Sequence, residues 1–354
     1  MSNKAAASFL LALSFNLPSS LFAQGSPELL WADVVAGRSG DSANFKPTLL
    51  SYPVSGPKAN GSAVLICPGG GYVDLAYTYE GIDVAKKFNS YGVSAFVVKY
   101  RRSPGFMYPV PIDDGRRAMR MIRSRARQLN IDTNRIGIMG FSAGGHLAST
   151  ILTHYDLGDQ LAKDTVDRMS CKPAFAILVY PVISMRSGIT HTGSRDALLG
   201  KPADTALVTF LSNELQVKPT TPPTFLVHAK DDPTVPYANS QLFYDACIKS
   251  KVTARLLPFT HGPHGFGLAN GSDGASNIPE ISVWPDSCAK WLEVNGFFKV
   301  STSTFLRSAL TQPRKSTKGL RHGRIILSSD MLKPSSAHDF SGRTTEYFGK
   351  PNGL

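Results

Sequence analysis

The chain has 354 residues, 42% of them hydrophobic, and a formal net charge of +12 from 38 Lys and Arg against 26 Asp and Glu. This length suits one large domain or two small ones, and the apolar content excludes a chain that is disordered throughout. No uninterrupted apolar run reaches the roughly 18 residues that a membrane-spanning helix needs, so we expect no stable membrane span. The four cysteines are too few for a disulfide scaffold and too scattered for a structural zinc site.

Residues 1–23 have the composition of an export signal. Lys4 supplies a positive start, residues 5–15 are apolar, and a Pro-Ser-Ser sequence interrupts the apolar stretch. These features predict a signal peptide that is cleaved after Ala23, and therefore an exported protein, periplasmic or secreted. The alternative is an N-terminus that is apolar by chance.

After this segment, short apolar strands alternate with helices. In chain order, the predicted strands are residues 62–67, 94–100, 135–139, 174–180, 224–229 and 253–259. The predicted helices are residues 80–89, 112–129, 146–155, 239–250 and 284–297. Such alternation is typical of a mostly parallel sheet with helices on both faces. It predicts one α/β domain over residues 26–300, with a looser region at 184–219.

The positive charge is unevenly distributed. Residues 301–354 contain nine Lys or Arg and three Asp or Glu, with too few apolar residues for a core, which predicts a basic, disordered tail. The densest basic run before it consists of Arg116, Arg117, Arg120, Arg123, Arg125 and Arg127. That spacing predicts a helix with a solvated, arginine-rich face, and a surface for an anionic partner is the alternative. Because the predicted domain is only mildly basic, we expect no nucleic-acid partner.

Residues 140–144 read Gly-Phe-Ser-Ala-Gly, a G-x-S-x-G match between a predicted strand and a predicted helix. A direct turn from strand to helix strains the middle residue, and side chains beside it would collide with the neighbouring chain, which accounts for Gly140 and Gly144. The turn would expose the Ser142 hydroxyl at the positive end of a helix. Ser142 is therefore the predicted nucleophile, and a glycine-rich turn with a chance serine is the alternative.

A serine hydroxyl needs a histidine base, and a carboxylate must orient that histidine. In G-x-S-x-G enzymes built on parallel sheets, the chain order is serine, acid, histidine. Asp231 and Asp232 follow one predicted strand, and His261 and His264 follow the next. We favour Asp232, which begins an Asp-x-x-Val-Pro segment, over Asp231. We favour His264, which has small neighbours and precedes Gly-Phe-Gly, over His261.

The segment Cys-Pro-Gly-Gly-Gly-Tyr at residues 67–72 follows the first predicted strand. Attack on a carbonyl carbon builds negative charge on its oxygen, which two backbone N–H groups must meet. Ala143 supplies one predicted donor, and Gly70 or Gly71 supplies the other. A phosphate-binding loop is the alternative, but the Gly-Lys-Ser/Thr continuation is missing.

The order and spacing of the motifs over residues 60–295 resemble the α/β-hydrolase superfamily, in its esterase/lipase branch. The motifs are PGGGY, Glu80-Gly81, VVKYR, Asp114 with Arg117-Ala118, GFSAGGHLA, DDPTVP-x-x-NS and PHGFGL. They are similar to those of bacterial acetylxylan esterases and related carbohydrate esterases, which are often labelled xylanase. The sequence departs from this pattern at Cys67, where esterase relatives commonly carry histidine.

The resemblance implies an α/β-hydrolase fold and a serine esterase that needs no metal or organic cofactor. The expected substrate is an ester-bearing small molecule or an acetylated polysaccharide such as xylan, and the expected acyl group is short, most of all acetyl. Tyr72 and Phe141 are predicted to line the substrate pocket, with residues 184–219 as a lid. Arg101 and Asp114 are interpreted as a structural ion pair beneath the site.

Three alternatives share part of this evidence. A general lipase or carboxylesterase would use the same residues. A serine peptidase of the prolyl-oligopeptidase type usually carries a propeller domain, for which this chain has no room. A polysaccharide hydrolase of the endo-1,4-beta-xylanase type would need two carboxylates about 5–10 Å apart and would leave the serine motif unexplained. The sequence does not predict an oligomeric state.

Overall fold

The computed structural model describes residues 26–31, 46–272 and 274–298. The predicted signal peptide at 1–23 and the predicted tail at 301–354 lie outside the described residues. Within the described ranges, no helix has the length and apolar character needed to cross a membrane.

The described strands form one sheet in the order β1-β2-β4-β3-β5-β6-β7-β8. They are β1 (Pro27–Leu29), β2 (Thr48–Tyr52), β3 (Ala63–Cys67), β4 (Ser94–Lys99), β5 (Ile136–Phe141), β6 (Ala176–Val179), β7 (Thr224–Ala229) and β8 (Ala254–Phe259). β2 runs antiparallel to both of its neighbours, β1 and β4, whereas β3 to β8 are parallel. The sheet is therefore mostly parallel, as the sequence predicts.

Helices cover both faces of this sheet. They are α1 (Asp83–Ser90), α2 (Val110–Ser124), α3 (Ser142–Thr153), α4 (Thr192–Leu199), α5 (Thr205–Phe210), α6 (Ala238–Lys249) and α7 (Trp284–Val294). Apolar residues of α2, α3 and α6 pack with one face of the strands, and those of α1 and α7 pack with the other. The two core layers bury the apolar strands on both sides, which is why those strands read as continuous apolar runs.

The structure shifts several predicted boundaries. α3 begins at Ser142 rather than at residue 146, because β5 passes into the helix without a linker. The helix predicted at residues 80–89 begins as one π-helical turn, Thr78–Ile82, and continues as α1. β1 and β2 were not predicted. The looser region at 184–219 contains the short helices α4 and α5.

The arginine-rich face of α2 is mostly paired with other groups of the protein rather than solvated, which corrects the sequence interpretation. Arg117 is buried, and its guanidinium pairs with Asp164 and Asp167 at 2.5 and 2.9 Å. Arg120 pairs with Asp156 at 2.6 Å. Acidic side chains from the segment after α3 thus neutralise charge that the sequence pattern assigned to solvent.

The order of the strands reverses direction at β3. β3 lies between β4 and β5, so the chain builds the sheet outward in two directions from β3. Functional sites of open α/β sheets lie at such a switch point. Cys67 at the end of β3 pairs with Gly140 near the end of β5, which brings the glycine loop beside Ser142.

Candidate active site

Ser142 occupies a strained turn between β5 and α3. Its φ angle is +51°, a left-handed backbone that costs a non-glycine residue about 1–3 kcal/mol. A Cβ at Gly140 would lie 2.1 Å from the carbonyl oxygen of Gly144, and a Cβ at Gly144 would lie 2.1 Å from that of Cys67. Both positions therefore accept only glycine, and the turn holds Ser142 at the carboxyl edge of the sheet.

Ser142, His264 and Asp232 form a continuous hydrogen-bonded chain. The Oγ atom of Ser142 lies 2.8 Å from Nε2 of His264. Nδ1 of His264 lies 2.8 Å from Oδ2 of Asp232. Asp232 follows β7 and His264 follows β8, so the carboxyl ends of parallel strands bring the three side chains together. These distances allow a histidine to accept the serine proton while a carboxylate orients the imidazole ring.

The surroundings of Asp232 keep it ionised. The backbone N–H groups of Thr234 and Val235 donate to Oδ1 at 2.8 and 2.9 Å. Burial opposes ionisation of Asp232, but hydrogen bonds from His228 and His264 outweigh burial and hold its pKa well below the ordinary value. Asp232 is therefore a carboxylate at neutral pH, the form that can balance an imidazolium.

His228 supports Asp232 from within β7, and the sequence analysis missed this contact. Its Nε2 donates to the carbonyl oxygen of Val235 at 3.0 Å and lies 3.3 Å from Oδ2 of Asp232. Its Nδ1 lies 2.8 Å from the hydroxyl of Ser240 on α6. The available signal was a histidine inside an otherwise apolar strand, four residues before the aspartate.

The less favoured pair, Asp231 and His261, is also in contact. Nδ1 of His261 lies 2.7 Å from Oδ2 of Asp231, and the backbone N–H of Gly262 donates to Oδ1 at 2.8 Å. The His261 side chain is 82% exposed. Within the described structure neither residue contacts Ser142, which is bound by His264 instead.

The glycine loop after β3 presents backbone donors beside the nucleophile. A Cβ at Gly69 would lie 2.8 Å from Cβ of Ser142, so the loop passes directly against that residue. Gly70 and Gly71 have φ angles of +128° and +65°, and their N–H groups have no acceptor among the described residues. Ala143 is the second residue of α3, where a helix leaves the amide without an intrahelical partner. The predicted oxyanion donors thus have amides that are free to meet a substrate oxygen.

Glu80 is a buried carboxyl beneath this loop that the sequence analysis did not assign to the site. It accepts a hydrogen bond from the Gly69 N–H at 2.7 Å and another from the Tyr180 hydroxyl at 2.8 Å. Burial raises its pKa to about 7, although the hydrogen bonds from Tyr180 and Gly69 and the charge of His264 act in the opposite direction. Glu80-Gly81 is part of the family resemblance in the sequence, but nothing in these two residues predicts that the carboxyl is buried.

Tyr72 and Phe141 do not line a substrate pocket, which corrects the prediction. Both side chains have no exposed surface. The Tyr72 hydroxyl lies 2.9 Å from Nδ1 of His146, and Phe141 packs against Tyr180 and Trp284. The two rings support the loop and the strand from below.

The region at 184–219 approaches the site through His191. This residue caps α4, with Nδ1 2.8 Å from the Ser194 hydroxyl. Burial lowers the pKa of His191, the charge of His264 lowers it further, and the charge of Asp232 acts in the opposite direction. The assignment of residues 184–219 as a lid stays a prediction.

The predicted ion pair between Arg101 and Asp114 is present. Nη2 of Arg101 lies 2.6 Å from Oδ1 of Asp114, and both residues are buried. The Arg101 backbone N–H and the indole N–H of Trp31 also donate to this carboxylate. The pair fixes the end of β4 to α2.

The described residues offer no metal site. Within residues 26–31, 46–272 and 274–298, no three His, Cys, Asp or Glu side chains come together in a way that could hold a metal ion.

Comparison with curated proteins gives relatives that act on xylan by name. An acetylxylan esterase from Xylanibacter ruminicola is 36% identical over 213 residues, which are 59% of this chain and 42% of that protein. Endo-1,4-beta-xylanase B from Butyrivibrio fibrisolvens is 36% identical over 233 residues, which are 65% of this chain and 36% of that protein. The chain thus spans less than half the length of these two relatives.

Comparison with solved structures and family models supports the fold. The acetyl ester-xyloside bifunctional hydrolase from Caldicellulosiruptor lactoaceticus is 42% identical with a TM-score of 0.72, and the match covers 79% of this chain and 100% of that one. The BD-FAE family model matches residues 52–247, more than half of the chain. The α/β-hydrolase fold predicted from the sequence is confirmed. The chain belongs to the BD-FAE family and is an α/β hydrolase that resembles acetylxylan esterases.

Proposed function

We propose that this protein is a serine esterase that removes acetyl groups from a carbohydrate such as acetylated xylan. The observation that carries the proposal is the hydrogen-bonded chain from Ser142 through His264 to Asp232, beside a loop with free backbone amides. A nucleophile, a base, an orienting acid and donors for a developing oxyanion are the parts that acyl transfer requires.

The reaction begins when Ser142 Oγ attacks the ester carbonyl carbon. A C–O bond forms, the carbonyl π electrons move to oxygen, and the serine proton passes to Nε2 of His264. The Asp232 carboxylate balances the imidazolium through Nδ1, and its low pKa keeps it charged throughout. The amides of Ala143 and of Gly70 or Gly71 donate to the oxyanion.

Collapse of this intermediate breaks the bond to the sugar oxygen. His264 returns the proton to that oxygen, and the sugar leaves with a free hydroxyl while the acetyl group stays on Ser142. A water molecule then gives a proton to His264 and attacks the acetyl carbon. Release of acetic acid, with the proton returned to Ser142, restores the free enzyme.

The carbohydrate part of the proposal draws on the relatives. Two of them are named for acetyl ester hydrolysis, on xylan or beside xyloside hydrolysis, and the second is matched over its whole length. The xylanase is matched over about a third of its length, so its name can describe another part of that protein. Acetate on xylan is therefore the favoured substrate, and xylan cleavage is an outcome that the test must distinguish.

Export completes the proposal. The signal predicted at residues 1–23 supports an enzyme that acts on a polymer outside the cytoplasm. Expression in a bacterial host should yield periplasmic or secreted protein with Gln24 as the first residue, as read by mass spectrometry. A cytoplasmic product that retains residues 1–23 would argue against export.

The test compares Ser142→Ala with the wild type on acetylated xylan and on p-nitrophenyl acetate. Acetate release by the variant should fall at least ~10³-fold. Ser149→Ala, a buried serine on the same helix that bonds to Asn213, is the matched control and should retain activity. Undiminished hydrolysis by Ser142→Ala would reject the proposal. Cleavage of xylan chains by that variant would favour a glycosidase. A wild-type protein that hydrolyses peptides or long-chain esters faster than it releases acetate would favour a peptidase or a lipase.

A further inference from the structure

We propose that Glu80 is a positioning residue that couples the glycine loop at the oxyanion site to the loop that carries His264. The coupling runs through the hydroxyl of Tyr180. This inference rests on the proposed function, because it assigns Glu80 a role in holding the oxyanion donors and the base in one arrangement.

Three hydrogen bonds connect the two loops. The Gly69 N–H donates to Oε2 of Glu80 at 2.7 Å. The Tyr180 hydroxyl donates to Oε1 of Glu80 at 2.8 Å and accepts the Gly267 N–H at 2.9 Å. Gly69 directly precedes the predicted donor glycines, and Gly267 lies three residues after His264. One carboxylate therefore connects the two sides of the reacting centre.

Packing reinforces this connection. The Tyr180 ring meets the His264 ring edge-on, with centroids 4.9 Å apart, and meets Phe266 at 4.5 Å. A Cβ at Gly69 would lie 2.7 Å from Oε2 of Glu80 and 2.8 Å from Cβ of Ser142. Gly69 thus lies close to both the carboxylate and the nucleophile, with no space for a side chain of its own.

The Tyr180 backbone is strained. Its φ angle is +36°, which is uncommon for a residue with a side chain. Such strain persists where surrounding contacts fix the residue, and it is found at functional sites. The strain places the hydroxyl and the ring of one side chain against both Glu80 and His264.

The directions of the hydrogen bonds to Glu80 are those of its ionised form. Both of its oxygens accept hydrogen bonds, and the Gly69 N–H can only donate. A protonated carboxyl would have to donate to the Tyr180 hydroxyl, which reverses that bond and leaves the Tyr180 hydrogen without the acceptor it has in this structure. The titratable groups that influence Glu80, or are influenced by it, are His264, Tyr79, Tyr100 and Tyr180. Since burial raises the pKa of Glu80 to about 7, the network should weaken as the pH falls below neutrality.

The primary test is Glu80→Gln, which keeps the side-chain volume and removes the ionisation. Its amide can accept from the Gly69 N–H only by presenting its N–H to the Tyr180 hydroxyl, whose hydrogen then loses its acceptor. We expect kcat on p-nitrophenyl acetate to fall about 10- to 100-fold, with little change in KM. This fall in kcat is smaller than the one expected when an oxyanion donor itself is removed. The acidic limb of the kcat/KM profile should change from two ionisations to one. Glu80→Asp, which restores the ionisation, should recover the two-ionisation limb.

Two further variants separate coupling from simple support. Tyr180→Phe keeps the ring against His264 but removes the donor that lowers the pKa of Glu80, so the acidic limb should move to higher pH. This variant carries the test if Glu80→Gln does not fold. Glu214→Gln removes another buried carboxylate, which pairs with Arg186 at 2.9 Å, and should keep the wild-type limb.

The outcomes distinguish this inference from the proposed function. Wild-type kcat in Glu80→Gln, or a slower variant whose acidic limb still shows two ionisations, would overturn the coupling while leaving the serine mechanism intact. Full activity of Ser142→Ala would instead overturn the proposed function, whatever Glu80 does.

Discussion

Two aspartate–histidine pairs follow β7 and β8, and their contacts are nearly the same. Nδ1 of His261 lies 2.7 Å from Oδ2 of Asp231, and Nδ1 of His264 lies 2.8 Å from Oδ2 of Asp232. Their surroundings differ. The side chains of His261 and Asp231 are 82% and 49% exposed, whereas those of His264 and Asp232 are 17% and 0% exposed. The buried pair continues to Ser142, and the exposed pair does not.

The comparison shows that the pairing alone does not make a site. Water screens the exposed pair, so separation of its partners costs little. The buried carboxylate has no water to replace its donors, and loss of a partner leaves an uncompensated charge. Burial and the hydrogen bond to Ser142 therefore decide which of the two adjacent pairs can support catalysis.

The largest expected difference between the pairs lies in their histidines. His264→Ala removes the proposed base and should lower kcat/KM on p-nitrophenyl acetate by about 10⁴- to 10⁶-fold. His261→Ala should stay within about twofold of the wild type, because its imidazole is solvated and does not contact Ser142. Equal losses in the two variants would show that the pairs share the work and would contradict the account.

The aspartates should differ nearly as much. Asp232→Asn keeps the shape but removes the charge that balances the imidazolium, and we expect kcat/KM to fall about 10³- to 10⁴-fold. Asp231→Asn is the matched control, one residue away, and should change kcat/KM by less than about twofold. Steady-state kinetics of both variants decide the assignment, and a larger loss in Asp231→Asn would reverse it.

A smaller effect should come from His228, which lies beside Asp232 of the buried pair. His228→Phe removes the Nε2 donor near Asp232 and the contact with Ser240. We expect roughly a tenfold loss in kcat/KM, the range for one hydrogen bond to a charged group. His228→Gln, which returns an N–H donor, should recover most of it. Wild-type kcat/KM in His228→Phe, or a loss that His228→Gln does not recover although its thermal unfolding is normal, would leave His228 without a role in orienting Asp232.

The smallest expected effect is on the acid sensitivity of folding. The pKa of Asp232 is held below its ordinary value, so its contribution to stability is complete above about pH 4 and is lost as the pH falls further. Asp232→Asn should cost roughly 1–3 kcal/mol at pH 7, and the difference in the free energy of unfolding from the wild type should narrow as the pH falls below about 4. Thermal unfolding of both proteins at a series of pH values from 7 downward measures this difference. A difference that stays constant would contradict the shifted pKa.

The central strands could be predicted from the sequence because both of their faces are buried. Residues 224–229 are fully buried and end at a charged turn, and β7 has the predicted bounds. β1 has three residues, and β2 lies outside the alternation of strand and helix, so neither gave a clear pattern. The arginine-rich face of α2 could not be interpreted correctly because its acidic partners come from a distant segment.

The candidate site divides in the same way. Chain order and local motifs bring Ser142, Asp232 and His264 to one edge, since parallel strands end together. Glu80 was missed because its burial depends on Tyr180, which lies 100 residues away in the chain. Phe141 was assigned to the pocket because it adjoins the serine, but strand alternation points its side chain into the core with Met139.

The most direct test of the central claim is covalent labelling of the folded protein with a fluorophosphonate. The tryptic peptide covering residues 136–163 contains Ser142 and Ser149, and fragmentation in the mass spectrometer separates the two positions. The account predicts one adduct per molecule, on Ser142, formed far more slowly in His264→Ala and at the normal rate in His261→Ala. Active protein that is not labelled, or that carries the adduct at another residue, would contradict it.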